Sequence, residues 1–88
     1  MTPTSLRRDF ERLGVNRWVY GIGRERDEAY CLVREGDDWL VFYSERGQRN
    51  AVTRHAAKED ACADLYRRVT SDPTTTQRPG TRRAADPD

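Results

Sequence analysis

Trp39-Leu-Val-Phe-Tyr-Ser-Glu-Arg-Gly47 constrains this chain more than any other stretch. Three of its five leading residues are aromatic and one is Val, the side chains that best fit a pleated, half-buried surface. Gly36, Asp37 and Asp38 precede it and Gly47 and Gln48 follow it, so turn chemistry stands at both ends. The segment therefore reads as a central strand with a neighbour on each side. With 88 residues there is room for one domain, whose core must be thin.

Before the central strand, Leu6, Phe10 and Leu13 recur at helical spacing, with Thr4 or Ser5 as the cap and Gly14 as the stop. Arg17 to Gly23 alternates as a first strand, and Ala29 to Arg34 forms a second. Asn50 to His55 forms a short fourth that reads as an edge. Ala61, Cys62, Leu65 and Val69 mark one side of a second helix over 57–69, poorly capped because Ala56 and Ala57 precede it. The expectation is an α+β domain over 1–70: a four-stranded antiparallel meander with an N-terminal and a C-terminal helix packed on one face. From Ser71 to Asp88 nothing apolar exceeds Ala, which predicts a disordered tail.

Registering the hairpins by their turns sorts the sheet into two faces. One collects Trp18, Tyr20, Ile22, Tyr30, Leu32, Trp39, Val41, Tyr43 and Val52, and should carry both helices. The other collects Val19, Gly21, Cys31, Val33, Leu40, Phe42, Ala51 and Thr53, with no helix left to cover it. Val19, Cys31, Val33, Leu40 and Phe42 are thus expected to be an exposed apolar surface that docks a protein partner, with Glu45, Arg46 and Arg49 as its charged rim.

Catalytic and metal chemistry finds little here. His55 is the only His, and neither Cys31 nor Cys62 stands at a ligand or nucleophile spacing from it, so no metal, cofactor or catalytic residue is expected. Gly21-Ile22-Gly23 lacks the third glycine and the following helix of a dinucleotide fingerprint. The 16 basic residues are matched by 15 acidic ones, which argues against binding nucleic acid through Arg17, Arg24, Arg26, Arg34, Arg46 and Arg49. The abundance of Arg over the single Lys58 reads as coding bias rather than a phosphate-binding device. No signal-like or membrane-spanning run occurs, so a cytoplasmic protein is expected.

Trp39, Val41, Tyr43, Glu45, Arg46 and Gly47, followed by a short strand and the Glu59-Asp60-Ala61-Cys62 helix, resemble a pattern found in small immunity-type proteins of actinobacterial polymorphic-toxin loci. Val52 stands where that pattern more often has an aromatic, and Ala56-Ala57 replace a polar cap. The resemblance implies a cytoplasmic inhibitor that binds and occludes a toxin domain encoded nearby. The other reading of the same face is a homodimer serving a structural or regulatory role.

Overall fold

The computed structural model describes residues 1–77. Its sheet has four strands in the order β1-β2-β3-β4: Tyr20–Ile22, Ala29–Glu35, Asp38–Glu45 and Gln48–His55. Helix α1 spans Pro3–Leu13 and α2 spans Lys58–Thr70. An α+β architecture with two helices is thus present, but the sheet is mixed, because β1 runs parallel to β2.

Helix α1 begins at Thr2 rather than at Thr4 or Ser5. The Thr2 and Ser5 side chains each accept from the other's backbone N–H, and Pro3 occupies the first helical position, where no N–H is needed. Gly14, at φ 77°, ends it in the left-handed conformation. Helix α2 has no side-chain cap at Ala57, while Glu59 and Asp60 in its first turn and Arg67 and Arg68 in its last oppose the helix dipole.

The β2–β3 hairpin pairs Leu32 with Val41 and Tyr30 with Tyr43, the register its turn predicts. The β3–β4 hairpin departs from expectation. Its turn is Arg46-Gly47, both residues at positive φ (54° and 80°), so Tyr43 faces Asn50 instead of Val52. Asp27 accepts from the Arg46 backbone N–H at 2.8 Å and helps hold that unusual arginine conformation. A bulge follows between Val41 and Tyr43, with Ala51 at φ 55° on the opposing strand. It shifts the register by one, setting Thr53 opposite Val41 and His55 opposite Trp39, and Val52 is left 48% exposed.

Leu6 and Phe10 from α1, and Ala61, Cys62, Leu65 and Val69 from α2, form one buried cluster with Ile22, Leu32 and Val41. Helix α2 lies across β2, β3 and β4, while α1 packs beside α2, with Phe10 4.8 Å from the Tyr20 ring. Two sequence expectations fail at this end. Trp18 sits in a 3-10 turn over Arg17–Val19, before the strand begins, and is 53% exposed; Val19 packs against the helix-side cluster rather than on the opposite face.

The segment 71–77 is folded, contrary to the expected tail. Thr75 is buried in a 3-10 turn over Pro73–Thr76, donates to the Val69 carbonyl, and through its own carbonyl accepts from the Asn16 N–H at 2.8 Å. Small threonine and proline side chains suffice here because backbone and hydroxyl groups find partners. The remainder of the expected tail, 78–88, lies outside the described residues. No described helix is long and apolar enough to cross a membrane.

Candidate functional site

The second face of the sheet is sealed. Cys31 and Phe42 are fully buried, and Leu40 and Val33 nearly so, in a cluster with Ala29. The exposed apolar surface expected from the sequence is therefore absent. Part of its cover is the segment 23–28, which passes Gly21, Cys31 and Ser44 on its way to start β2 parallel to β1. Gly21 leaves the space for it: a Cβ there would stand 2.6 Å from the Arg24 carbonyl oxygen.

Polar contacts fasten this strap to the sheet. The Arg26 N–H donates to Cys31 Sγ at 3.4 Å, and Ser44 Oγ donates to Glu25. Arg49, on β4, binds Glu25 of the strap and Glu35 of β2, each at 2.9 Å, and lies 4.6 Å from the Phe42 ring centre. Arg49 and the Arg46 N–H thus serve the closure rather than rimming an open surface, while Glu45 remains exposed at the hairpin end. A small residue in β1 followed by six residues dense in charge was the signal available for this crossing.

On the helix side, Asp64 is buried and collects three partners: His55 Nε2 at 2.8 Å, Arg67 at 2.6 Å and Arg68 at 2.9 Å. Burial alone would raise its carboxyl, but the hydrogen bonds from His55 and Arg68 and the charges of Arg68 and Arg67 hold it below the usual carboxylate range. The single histidine is thereby tied to a carboxylate, and burial pushes both cysteine thiols up, away from the reactive thiolate. Among the described residues no three His, Cys, Asp or Glu side chains are grouped to hold a metal ion.

Among the grooves that open between described residues, two are lined by several arginine or tyrosine side chains. One, of about 540 Å³, lies between the Tyr30 and Tyr43 rings, Arg67 and Arg68. Tyr30 donates to Asp72 at 2.9 Å, and burial together with that carboxylate lifts the phenol to about 12. Arg67 and Arg68 hold Asp64.

The other groove, of about 310 Å³, gathers Arg7 from α1, Arg17 from the 3-10 turn, and Arg24 and Arg26 from the strap. Gly21 and Glu11 also line it. Among the described residues none of these four arginines forms an ion pair, whereas Arg12, Arg49, Arg54, Arg67 and Arg68 all do. Half-exposed Trp18 follows Arg17 directly in the chain. Near-neutral composition hid this site, because a net charge of +1 says nothing of where along the folded surface the charges gather.

No family model, curated protein or solved structure matches the chain.

Proposed function

We propose that this chain is a non-catalytic protein-binding module, an immunity-type inhibitor that occludes a toxin domain in the cytoplasm through the surface around the arginine groove. The observation that carries the reading is the convergence on one groove of four arginines that form no ion pair among the described residues, with exposed Trp18 next to Arg17 in the chain. Arginine and tryptophan are the side chains most enriched where protein interfaces draw their energy. Unpaired guanidinium groups also favour an acidic partner surface and speed encounter with it.

The test is to express the toxin-like product of a neighbouring reading frame with and without this chain, scoring host survival and co-purification. Protection with a stable complex is expected, and Trp18→Ala together with Arg17→Glu should abolish both. A neighbouring product that is neither toxic nor retained would overturn the reading.

The homodimer alternative is supported by a different feature. Among the described residues strand β4 pairs only with β3, its residues 48–54 are all exposed, and Val52 stands out among them. A free edge of that kind can pair with a second copy. Light scattering across a concentration series decides it: a mass that doubles favours the dimer, and an invariant monomer removes it.

A further inference from the structure

Along β3 the side chains on the helix side of the sheet follow one another as Trp39, Val41, Tyr43 and Glu45, and the charges beside them change sign on the way. His55, opposite Trp39, bonds Asp64, and Thr53, opposite Val41, accepts from Arg68 of the same cluster. Beyond Tyr43 the strand ends on Glu45, while Glu28 precedes Ala29, the partner of Ser44. Glu28, Glu45 and Asp72 form no ion pair among the described residues. The groove of about 540 Å³ lies between these two regions.

Arg67 and Arg68 on one wall share the Asp64 carboxylate, whereas the aromatic part of the groove is open to a charge. The Tyr30 and Tyr43 rings meet edge to face, 5.0 Å between centres. Other rings of the sheet carry a cation: Arg34 lies 5.4 Å from the Trp39 ring centre and Arg49 4.6 Å from that of Phe42. Among the described residues none lies over Tyr30 or Tyr43. Burial, and then the carboxylates of Glu28, Glu45, Asp72 and Asp27, push the Tyr43 phenol above its usual value, so the field at this ring is negative. Burial would also raise Asp72, but hydrogen bonds from Thr74 and Tyr30 hold it below the usual carboxylate range, and it stays ionised.

We propose that this groove receives a basic side chain presented by an extended segment of a partner protein, its cation set against the Tyr30 and Tyr43 rings with Asp72 as counter-charge. Aromatic rings attract a cation through their negative faces, more strongly where water is partly excluded. The carboxylates at this end of the sheet repel a phosphate or an acidic peptide. Ala51 favours a polypeptide over a free cation, because it lines the groove from β4, which among the described residues pairs only with β3. The outer N–H and C=O groups of that strand can bond the backbone of the segment that carries the charge. The site shares no lining residue with the arginine groove and relies only on the protein-binding part of the reading above.

The probe is the acetylated, amidated pentapeptide Thr-Val-Arg-Val-Thr, titrated into the isotopically labelled full chain in low salt and followed by amide NMR. Its citrulline counterpart removes the charge, its glutamate counterpart reverses it, and methylguanidinium supplies the charge without a backbone. The arginine peptide is expected to move the signals of Tyr30, Tyr43, Ala51 and Asp72, and the citrulline peptide to bind about threefold or more weakly. Tyr43→Leu should cost the arginine peptide about threefold. Asp72→Asn with Glu45→Gln should cost it about fivefold, while Glu59→Gln, an exposed carboxylate in the first turn of α2, leaves it unchanged. Should Asp72→Asn lower the melting temperature, exposed Glu45→Gln alone decides, with an expected loss of about twofold.

Unmoved signals, equal affinity for the citrulline or the glutamate peptide, binding of methylguanidinium as tight as that of the arginine peptide, or an equal loss in Glu59→Gln each overturns the proposal. If a toxin co-purifies but the arginine peptide leaves these signals in place, this groove assignment alone falls; if the peptide binds here and no toxin is retained, the inhibitor reading falls instead.

Discussion

On one side of the sheet, Leu32 and Val41 lie beneath two amphipathic helices that contribute Leu6, Phe10, Leu65 and Val69. On the other, Cys31 and Phe42 lie beneath Gly23-Arg-Glu-Arg-Asp-Glu28, in which no residue is apolar. Both sets are removed from solvent. Long charged side chains can do this because their hydrocarbon stems lie on apolar surface while their ends pair with one another and with water. A sheet face without a helix is therefore not an open face, and a small domain can close one with a single crossing of the chain. The two closures differ in what holds them: interdigitated side chains on the helix side, a few ion pairs and backbone contacts on the other.

Carboxylates placed under each cover challenge the comparison most severely. Phe42→Asp and Leu32→Asp should each cost more than about 4 kcal/mol and leave the chain largely unfolded, since each buries an unpaired charge. Circular dichroism and urea titration measure both. A folded Phe42→Asp protein beside an unfolded Leu32→Asp one would mean that the strap opens freely.

Asp64→Asn probes the ionic cluster of the helix side and should cost about 2 to 3 kcal/mol, because Arg68 is left without its carboxylate partner. The sign of its pH dependence follows from the lowered carboxyl. The stabilisation is complete above the ordinary aspartate pKa and is lost as pH falls through the depressed folded value. Urea midpoints should therefore fall more steeply with acid in wild-type protein than in Asp64→Asn, and parallel curves would count against the cluster.

Gly21→Ala should cost about 1 to 3 kcal/mol by driving a methyl group into the Arg24 carbonyl. Its sharper signature is local. Thiol reagents should reach Cys31 faster while Cys62, buried on the core side of α2, keeps its wild-type rate. The smallest effect is expected of Arg49→Ala, about 1 kcal/mol by urea titration, because its partners Glu25 and Glu35 are 36% and 46% exposed. Arg49→Lys should not restore it, as one ammonium cannot reproduce a planar group that bridges two carboxylates while lying over a ring.

The β2–β3 hairpin was legible to the residue, since Gly36-Asp37 fixes its turn and the alternation on both strands agrees with it. The β3–β4 register was not. Arg46 and Ala51 adopt positive φ, a conformation their side chains do not advertise, and each moves the pairing. The parallel β1 was hidden for a related reason. A connection of six residues ordinarily means a hairpin, and only the bare backbone at Gly21 lets so short a segment pass over the sheet. Of the residues nominated for docking, Cys31, Val33, Leu40 and Phe42 were assigned to the right face but not to the right environment, because the burial depends on 23–28 folding back. The arginine groove was illegible to charge counting, which cannot say which carboxylate belongs to which cation.

The alignment of β1 with β2 also sets an order of events in time. A hairpin joined by two residues can zip up within microseconds on its own, but a three-residue strand with no adjacent antiparallel neighbour has nothing to dock on until that hairpin exists. It is expected to dock after that hairpin and to leave before it. The amide of Gly23, bonded to the Leu32 carbonyl, should accordingly trade its proton for deuterium sooner than the amides that join β2 to β3.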